Sequence, residues 1–229
     1  MNPEKVSLKD LLHQTIWAKD LTPAQLERVE ADTVELFVPK GGFICRKGEM
    51  VDAWFGIIDG LAKINTLSPE GKSVTFTGIA TGSWFGEGTL LKQEMRKYDV
   101  VALRDSRIAR MPAKTFMWLL DNSLPFTHFL LRQLNERLGQ FIGMVEFDRL
   151  LDVDTRVARC LAALFNNHLY PGTDMFLQVS QEEIGYLSGA SRQRANQALQ
   201  VLEKEGLLKV DYGGIRILDL EGLRRFQAS

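Results

Sequence analysis

The sequence predicts an α+β chain in three parts: an N-terminal antiparallel β-roll of the jelly-roll kind, a long helix, and a C-terminal winged helix-turn-helix. Three observations carry this reading. Short β-branched and aromatic runs cornered by glycines fill 34–112, a helical repeat of apolar residues then replaces them, and a capped helix pair with an alternating hairpin closes the chain. The expected boundaries are 1–121 for the roll, 122–151 for the helix and 152–229 for the last part. With 229 residues, 45% of them hydrophobic and 25% charged, the chain has apolar material for two cores.

Thr22, followed by Pro23, caps a short opening helix over 22–30. From Val34 to about Pro112, glycines at 41, 42, 48, 56, 60, 71, 78, 82, 86 and 88 mark the corners between strands. Val74–Gly78, Val100–Arg104 and Arg107–Met111 are the plainest strands, and Ser68-Pro69-Glu70-Gly71 reads as a turn. After Pro112 a long helical pattern carries Phe126, Leu130, Leu131, Leu134, Leu138, Phe141, Val145 and Leu150. Leu131, Leu134, Leu138, Phe141 and Val145 follow at steps of three, four, three and four, the seam of a two-stranded coiled coil. A helix packed only on its own roll would want a wider stripe, so the narrow seam favours a homodimer. From Asp152 the pattern gives a helix over Thr155–Asn166, a turn-rich loop and a short strand over Met175–Val179.

Ser180 and Glu183 form a capping box that starts a helix at Gln181, and Gly189 ends it. Ser191 caps a second helix running through Ala195, Leu199 and Leu202 to Glu205. Ile184, Gly185, Leu187, Gly189, Ala190, Ala195, Ala198 and Leu199 are expected to face inward, which leaves Arg192, Gln193, Arg194, Asn196 and Gln197 outward. Arg can fork onto guanine and Asn or Gln onto adenine, and a recognition helix offers its N-terminal residues to the major groove. Ser180, Gln181 and Ser191, at the two helix starts, complete the expected DNA-binding set. Leu207–Leu218 reads as two alternating strands around Gly213-Gly214, a wing. An ordinary helical hairpin with a polar face is the alternative, with the chain then a ligand-binding module that regulates a protein partner through its C-terminal helices; caps, turn glycine, polar face and wing together favour double-stranded, palindromic DNA as the partner.

Charge is neutral on this point. Lys+Arg 28 against Asp+Glu 29 gives −1, so any DNA affinity must come from local placement of cations. Cys45 and Cys160 make no disulfide framework and no zinc or iron–sulfur motif, which fits a reducing cytoplasm. The N-terminal residues lack a cationic start followed by an apolar stretch and no run approaches ~18 apolar residues, so neither secretion nor a membrane is expected. No G-x-S-x-G, H-E-x-x-H or G-x-x-x-x-G-K-[ST] nominates a nucleophile, metal or phosphate cradle, and the chain reads as a non-enzyme.

Gly82-Ser-Trp-Phe-Gly-Glu-Gly and Gln181-Glu-Glu-Ile-Gly-Tyr-Leu-Ser-Gly-Ala-Ser-Arg, in this order of parts, resemble the Crp/Fnr family of bacterial transcription regulators. The resemblance covers nearly the whole chain. It implies a cyclic-nucleotide-binding-like roll, RNA polymerase as a further partner, and operator contacts from Ser191, Arg192, Gln193 and Gln197, with Arg192 at the guanine-reading position. Gln193 and Gln197 stand where the catabolite activator has Glu and Arg, so its operator does not transfer. The resemblance also implies an effector site, Gly86-Glu87 holding a ribose hydroxyl and Arg96 a cyclic phosphate, with Lys97 able to serve a phosphate as a point charge. Lys97 and Tyr98 follow Arg96 where the family has small residues, and Phe141 and Ile142 lie where polar helix residues would meet adenine. For Glu94, Arg96 and Lys97 a solvated charged loop stands as an equal alternative. The effector is therefore left open between a cyclic nucleotide and another small anion, with weak or absent cyclic AMP dependence favoured. No iron–sulfur cluster is expected without a cysteine cluster, and no haem where the sensor region offers only His13, His128 and Cys45 as ligands.

Overall fold

The computed structural model describes residues 6–67, 73–150, 152–171 and 175–228. The expected Ser68–Gly71 turn lies outside the described residues. Two short helices open the chain, α1 (Leu8–Gln14) and α2 (Pro23–Asp32), each started by a capping box, Ser7 with Asp10 and Thr22 with Gln25. The first was not expected; its signal is the Ser7-x-x-Asp10 spacing.

The roll is two four-stranded antiparallel sheets. One runs β1 (Val34–Val38), β8 (Ser106–Pro112), β3 (Ala53–Asp59), β6 (Trp84–Phe85); the other runs β2 (Phe43–Cys45), β7 (Asp99–Ala102), β4 (Leu61–Leu67), β5 (Ser73–Ala80). Between them the inward residues of each pleat, among them Phe55, Ile57, Ile64, Ile79, Phe85, Val100 and Ile108, form an apolar core. A short helix α3 (Glu87–Lys92) follows the last strand of the first sheet, and Gly86 before it sits at φ +98°, left-handed backbone that glycine tolerates.

The outer face of the first sheet is covered by helices through an aromatic cluster. Trp17, Trp54, Trp84, Phe116 and Phe126 meet at centroid separations of 4.5 Å for Trp54 and Trp84 and 5.2–5.7 Å elsewhere, mostly edge to face. After Pro112 the chain forms two helices where the sequence suggested one, α4 (Ala113–Asn122) and α5 (Leu124–Leu150). They part at Ser123, whose backbone is extended and whose Oγ accepts from the Phe126 N–H at 3.4 Å; Pro125 falls in the first turn, where its missing N–H costs nothing. Phe126, Phe129, Leu130 and Gln133 of α5 turn into the roll. On the other side Leu131, Leu138, Phe141, Ile142 and Val145 are exposed, and Leu134 is half-buried.

The remainder packs α6 (Val153–Ala163), α7 (Gln181–Ser188), α8 (Arg192–Lys204) and α9 (Leu220–Arg225) on a sheet of order β10 (Leu208–Asp211), β11 (Gly214–Ile217), β9 (Phe176–Leu177). Helix α6 starts two residues before the expected Thr155 because the Asp152 carboxylate accepts from the N–H groups of Asp154 and Thr155 at 2.8 and 3.0 Å. Val157, Leu161, Ile184, Ala195, Leu199, Leu202 and Ile215 fill the core, and Leu61 and Leu103 of the roll join it. Among the described residues no helix is long and apolar enough to cross a membrane.

Candidate nucleic-acid interface and sensor pocket

The helix-turn-helix follows its local sequence. Ser180 Oγ accepts from the Glu183 N–H at 3.2 Å while the Ser180 N–H donates to Glu183 Oε2 at 2.6 Å, which fixes the start of α7. Gly189 ends that helix at φ +66°, and the Ser191 hydroxyl accepts from the Arg194 N–H at 3.2 Å to start α8. Gly185 is needed for packing: a Cβ there would stand 3.0 Å from the Ala190 carbonyl oxygen. Behind α8, Ala195, Ala198, Leu199 and Leu202 are fully buried. In front, Ser191, Arg192, Gln193, Arg194 and Gln197 are exposed.

Two inward or outward expectations need correction. Gly189 is exposed, because its part is the left-handed turn and not the core, and Asn196 is half-buried at the border of the two faces. Ser180 is exposed and Gln181 half-buried. Arg194 is already engaged, with Nη1 on Gln197 Oε1 at 2.7 Å and Nη2 on Asp154 Oδ1 at 3.3 Å. The wing turns tightly, Asp211 pairing with Gly214 around Tyr212 and Gly213, and leaves Tyr212 fully exposed at its tip.

In the roll, Glu87 is 2% exposed and its carboxylate is held from both sides, Oε1 by Arg137 Nε at 2.6 Å and Oε2 by Trp54 Nε1 at 3.3 Å. Arg137 comes from α5 and also donates to the Trp84 carbonyl at 2.6 Å. Burial is the strongest influence and raises the Glu87 carboxyl, but the Arg137 charge together with hydrogen bonds from the backbone, Gln133 and Arg137 outweighs it, so the group lies below its ordinary value. Arg137 was not singled out in the sequence. Gln133, Arg137 and Gln140 lie at steps of four and three on α5, but the helix carries other polar residues such as Arg132, Asn135 and Glu136, so nothing in the sequence marks these three out.

Arg96 is 3% exposed, with Nη2 on the Ala53 carbonyl at 3.1 Å, its guanidinium 5.1 Å over the Phe55 ring, and Nη1 buried without a hydrogen-bond partner. Gly86 lies against it; a Cβ there would stand 3.2 Å from Arg96 Nη1. The solvated-loop alternative thus holds for Lys97 and Glu94, which are paired at 3.2 Å with the lysine in solvent, and fails for Arg96. Tyr98 is half-buried, and burial first, then the Glu87 charge, pushes its phenol up. Phe141 and Ile142 lie on the exposed face of α5 with Leu131, Leu138 and Val145.

The two regions touch. Arg104, between β7 and β8, pairs with Glu183; Lys63 of β4 lies 4.5 Å over the Tyr186 ring; and Tyr170, 2% exposed, donates to the Gly78 carbonyl at 3.1 Å and accepts from Gln140 at 2.9 Å. Leu187 of α7 packs so closely on β5 that a Cβ at Gly78 would meet it at 3.0 Å.

Comparison with known proteins matches the cyclic nucleotide-binding domain family over residues 35–123 and the Crp-like helix-turn-helix domain family over 155–226. The chain is 28% identical over 191 residues to a CRP-like cAMP-activated global transcriptional regulator of Mycobacterium tuberculosis, covering 82% of this chain and 85% of that one. It resembles the solved structure of DNR from Pseudomonas aeruginosa at TM-score 0.51 and 26% identity, covering 99% of this chain and 100% of that chain. FixK2 of Bradyrhizobium japonicum shares the fold at TM-score 0.71 and 16% identity, over 86% of this chain and 98% of that one.

Proposed function

The chain belongs to the Crp/Fnr family of transcription regulators, and on that premise we propose that it acts as a homodimer on a two-fold DNA site. Helix α8 is the recognition helix, and α5 supplies the seam through Leu131, Leu134, Leu138, Phe141 and Val145. The observation that carries the DNA contact is the division of α8 into a fully buried apolar back and an exposed start bearing Arg192, Gln193 and Gln197. The exposed apolar stripe on α5 supports the dimer, since a large exposed apolar band on a helix marks an interface. The division into a roll (1–121), a dimer helix (122–151) and a DNA-binding part (152–229), a cytoplasmic location and RNA polymerase as a partner complete the reading.

The family description implies a cyclic nucleotide in the roll. The residues present fit the anionic half of such a ligand: Arg96 Nη1 is buried and unpartnered, with Gly86 leaving room beside it. They fit the other half poorly, because both Glu87 oxygens are bonded within the chain and Lys97 is turned to Glu94. The effector read here is a small anion centred on Arg96 and Gly86, with Glu87 structural, Lys97 outside the site, and weak or absent dependence on cyclic AMP. Such an anion would act by population shift, favouring whichever arrangement of roll and helix-turn-helix holds it better.

Selection of bound duplexes from a random pool tests the DNA reading, with sedimentation of the free protein alongside. A two-fold symmetric consensus from a dimer is expected; an asymmetric consensus or a monomer would overturn it.

A further inference from the structure

A cleft of about 900 Å³ lies between β5, the C-terminal half of α5, and helices α6 and α7. We propose that it is a binding site for an amphipathic monoanion, a carboxylate carried on an aromatic or aliphatic body, separate from the Arg96 pocket. The proposal goes beyond the regulator reading and does not depend on DNA binding.

The shape comes first. The volume lies in the range of small-molecule sites, and Phe76, Leu164 and Leu187 are among the apolar residues of its lining. Gly139 lines the α5 side, and a Cβ built there meets nothing within 4 Å. The seam positions Leu131, Leu134, Leu138, Phe141 and Val145 are not part of the lining, so pairing of two copies through α5 uses another face of the helix.

The charge decides the ligand class. Among the described residues, Arg156, Arg159 and Arg224 line the cleft against the single carboxylate of Glu136. Glu136 is already taken by the Asn166 side-chain amide at 2.7 Å, and Arg224 by Glu221 at 2.5 Å. Arg156 Nε is buried and makes no hydrogen bond, an arrangement that costs free energy until an acceptor arrives. A carboxylate is such an acceptor, and Arg presents it with a planar fork of donors. An apolar body then covers the Phe76, Leu164 and Leu187 surface, which a fully hydrated ion such as phosphate would leave wet.

The test is a calorimetric titration of the full chain, without DNA, with 1-naphthylacetate and with its uncharged counterpart 2-(1-naphthyl)ethanol. The wild type is expected to bind one naphthylacetate per protomer and the alcohol about tenfold more weakly, the loss of one charged hydrogen-bonding group. Arg156→Gln should bring naphthylacetate down to the alcohol. Gly139→Phe fills the cleft from a helix position with open space, so it should abolish binding of both while circular dichroism and sedimentation stay as in the wild type. No saturable binding by the wild type, equal affinity for acid and alcohol, or undiminished binding by a folded Gly139→Phe protein would overturn the site. A chain that binds naphthylacetate as expected but selects no DNA would refute the regulator reading and leave this site standing.

Discussion

The guanidinium of Arg104 forks onto the carboxylate of Glu183, Nε at 3.1 Å from Oε1 and Nη2 at 3.0 Å from Oε2. One partner stands on a loop of the roll, and the other is the capping-box residue of the first helix of the helix-turn-helix. The same arginine also donates to the Gln178 carbonyl, and Lys40 pairs with Glu182 at 3.6 Å, so the start of α7 is held against the roll. A contact made in only one arrangement of two bodies weighs against every other arrangement.

If DNA binding needs α7 to leave the roll, removing this contact favours DNA. Arg104→Ala should strengthen DNA binding roughly fivefold, about 1 kcal/mol, the value of a part-exposed ion pair. Fluorescence anisotropy on the selected duplex reads it, and an unchanged or weaker affinity would show that the docked arrangement does not compete with DNA. Arg104 is the residue to change, because Glu183 also caps its own helix.

The Glu87–Arg137 pair is buried far more deeply, at 2% and 13% side-chain exposure. Arg137→Met leaves an unpaired buried carboxylate and should cost about 3–5 kcal/mol in urea unfolding. Replacing both, Glu87→Gln with Arg137→Met, should restore much of that loss. A double variant as unstable as the single one would mean that the two groups act independently.

His168 sits on the Phe129 ring at 4.8 Å, and burial holds its imidazole below the ordinary value, with Arg132 and Arg137 adding to the shift against Glu136. A base with a depressed folded value favours folding in its neutral form. Its contribution is complete above the unfolded value of 6.5 and is lost as the pH falls through the folded value. The melting temperature of the wild type should drop more than that of His168→Gln between neutral pH and pH ~5. Parallel curves would remove the histidine from the account.

Leu138 is 58% exposed and lies midway along the proposed dimer seam. Leu138→Glu would bring two carboxylates together in that seam at several kcal/mol per ion, and sedimentation velocity should show monomer. A dimer of unchanged stability would place the interface elsewhere.

Much of this was legible in the sequence where local chemistry decides. The Ser180/Glu183 box, Gly189 and Ser191 set their helices through bonds within four residues, so the helix-turn-helix falls where its letters put it. The glycine-cornered strands from Val34 to Pro112 are likewise local. What stayed hidden is long-range. Nothing near Glu87 in sequence announces Arg137 fifty residues on, and Arg104 meets Glu183 across 79 positions, so the burial of both pairs follows only from packing. Arg96 was ambiguous for the same reason: a guanidinium in a charged stretch looks solvated until the fold puts it over Phe55.

The central claim is that the start of α8 reads bases, and Arg192→Ala tests it most directly. On the two-fold site selected by the wild type, with half-sites about one helical turn or roughly 34–36 Å apart, the variant should lose ~1–3 kcal/mol of specific binding. Its affinity for random duplex should change far less, so that the ratio of specific to random binding falls and the preference at one base pair per half-site relaxes. An equal loss on both duplexes would reduce Arg192 to a phosphate contact, and an unaltered ratio would contradict direct readout by this helix.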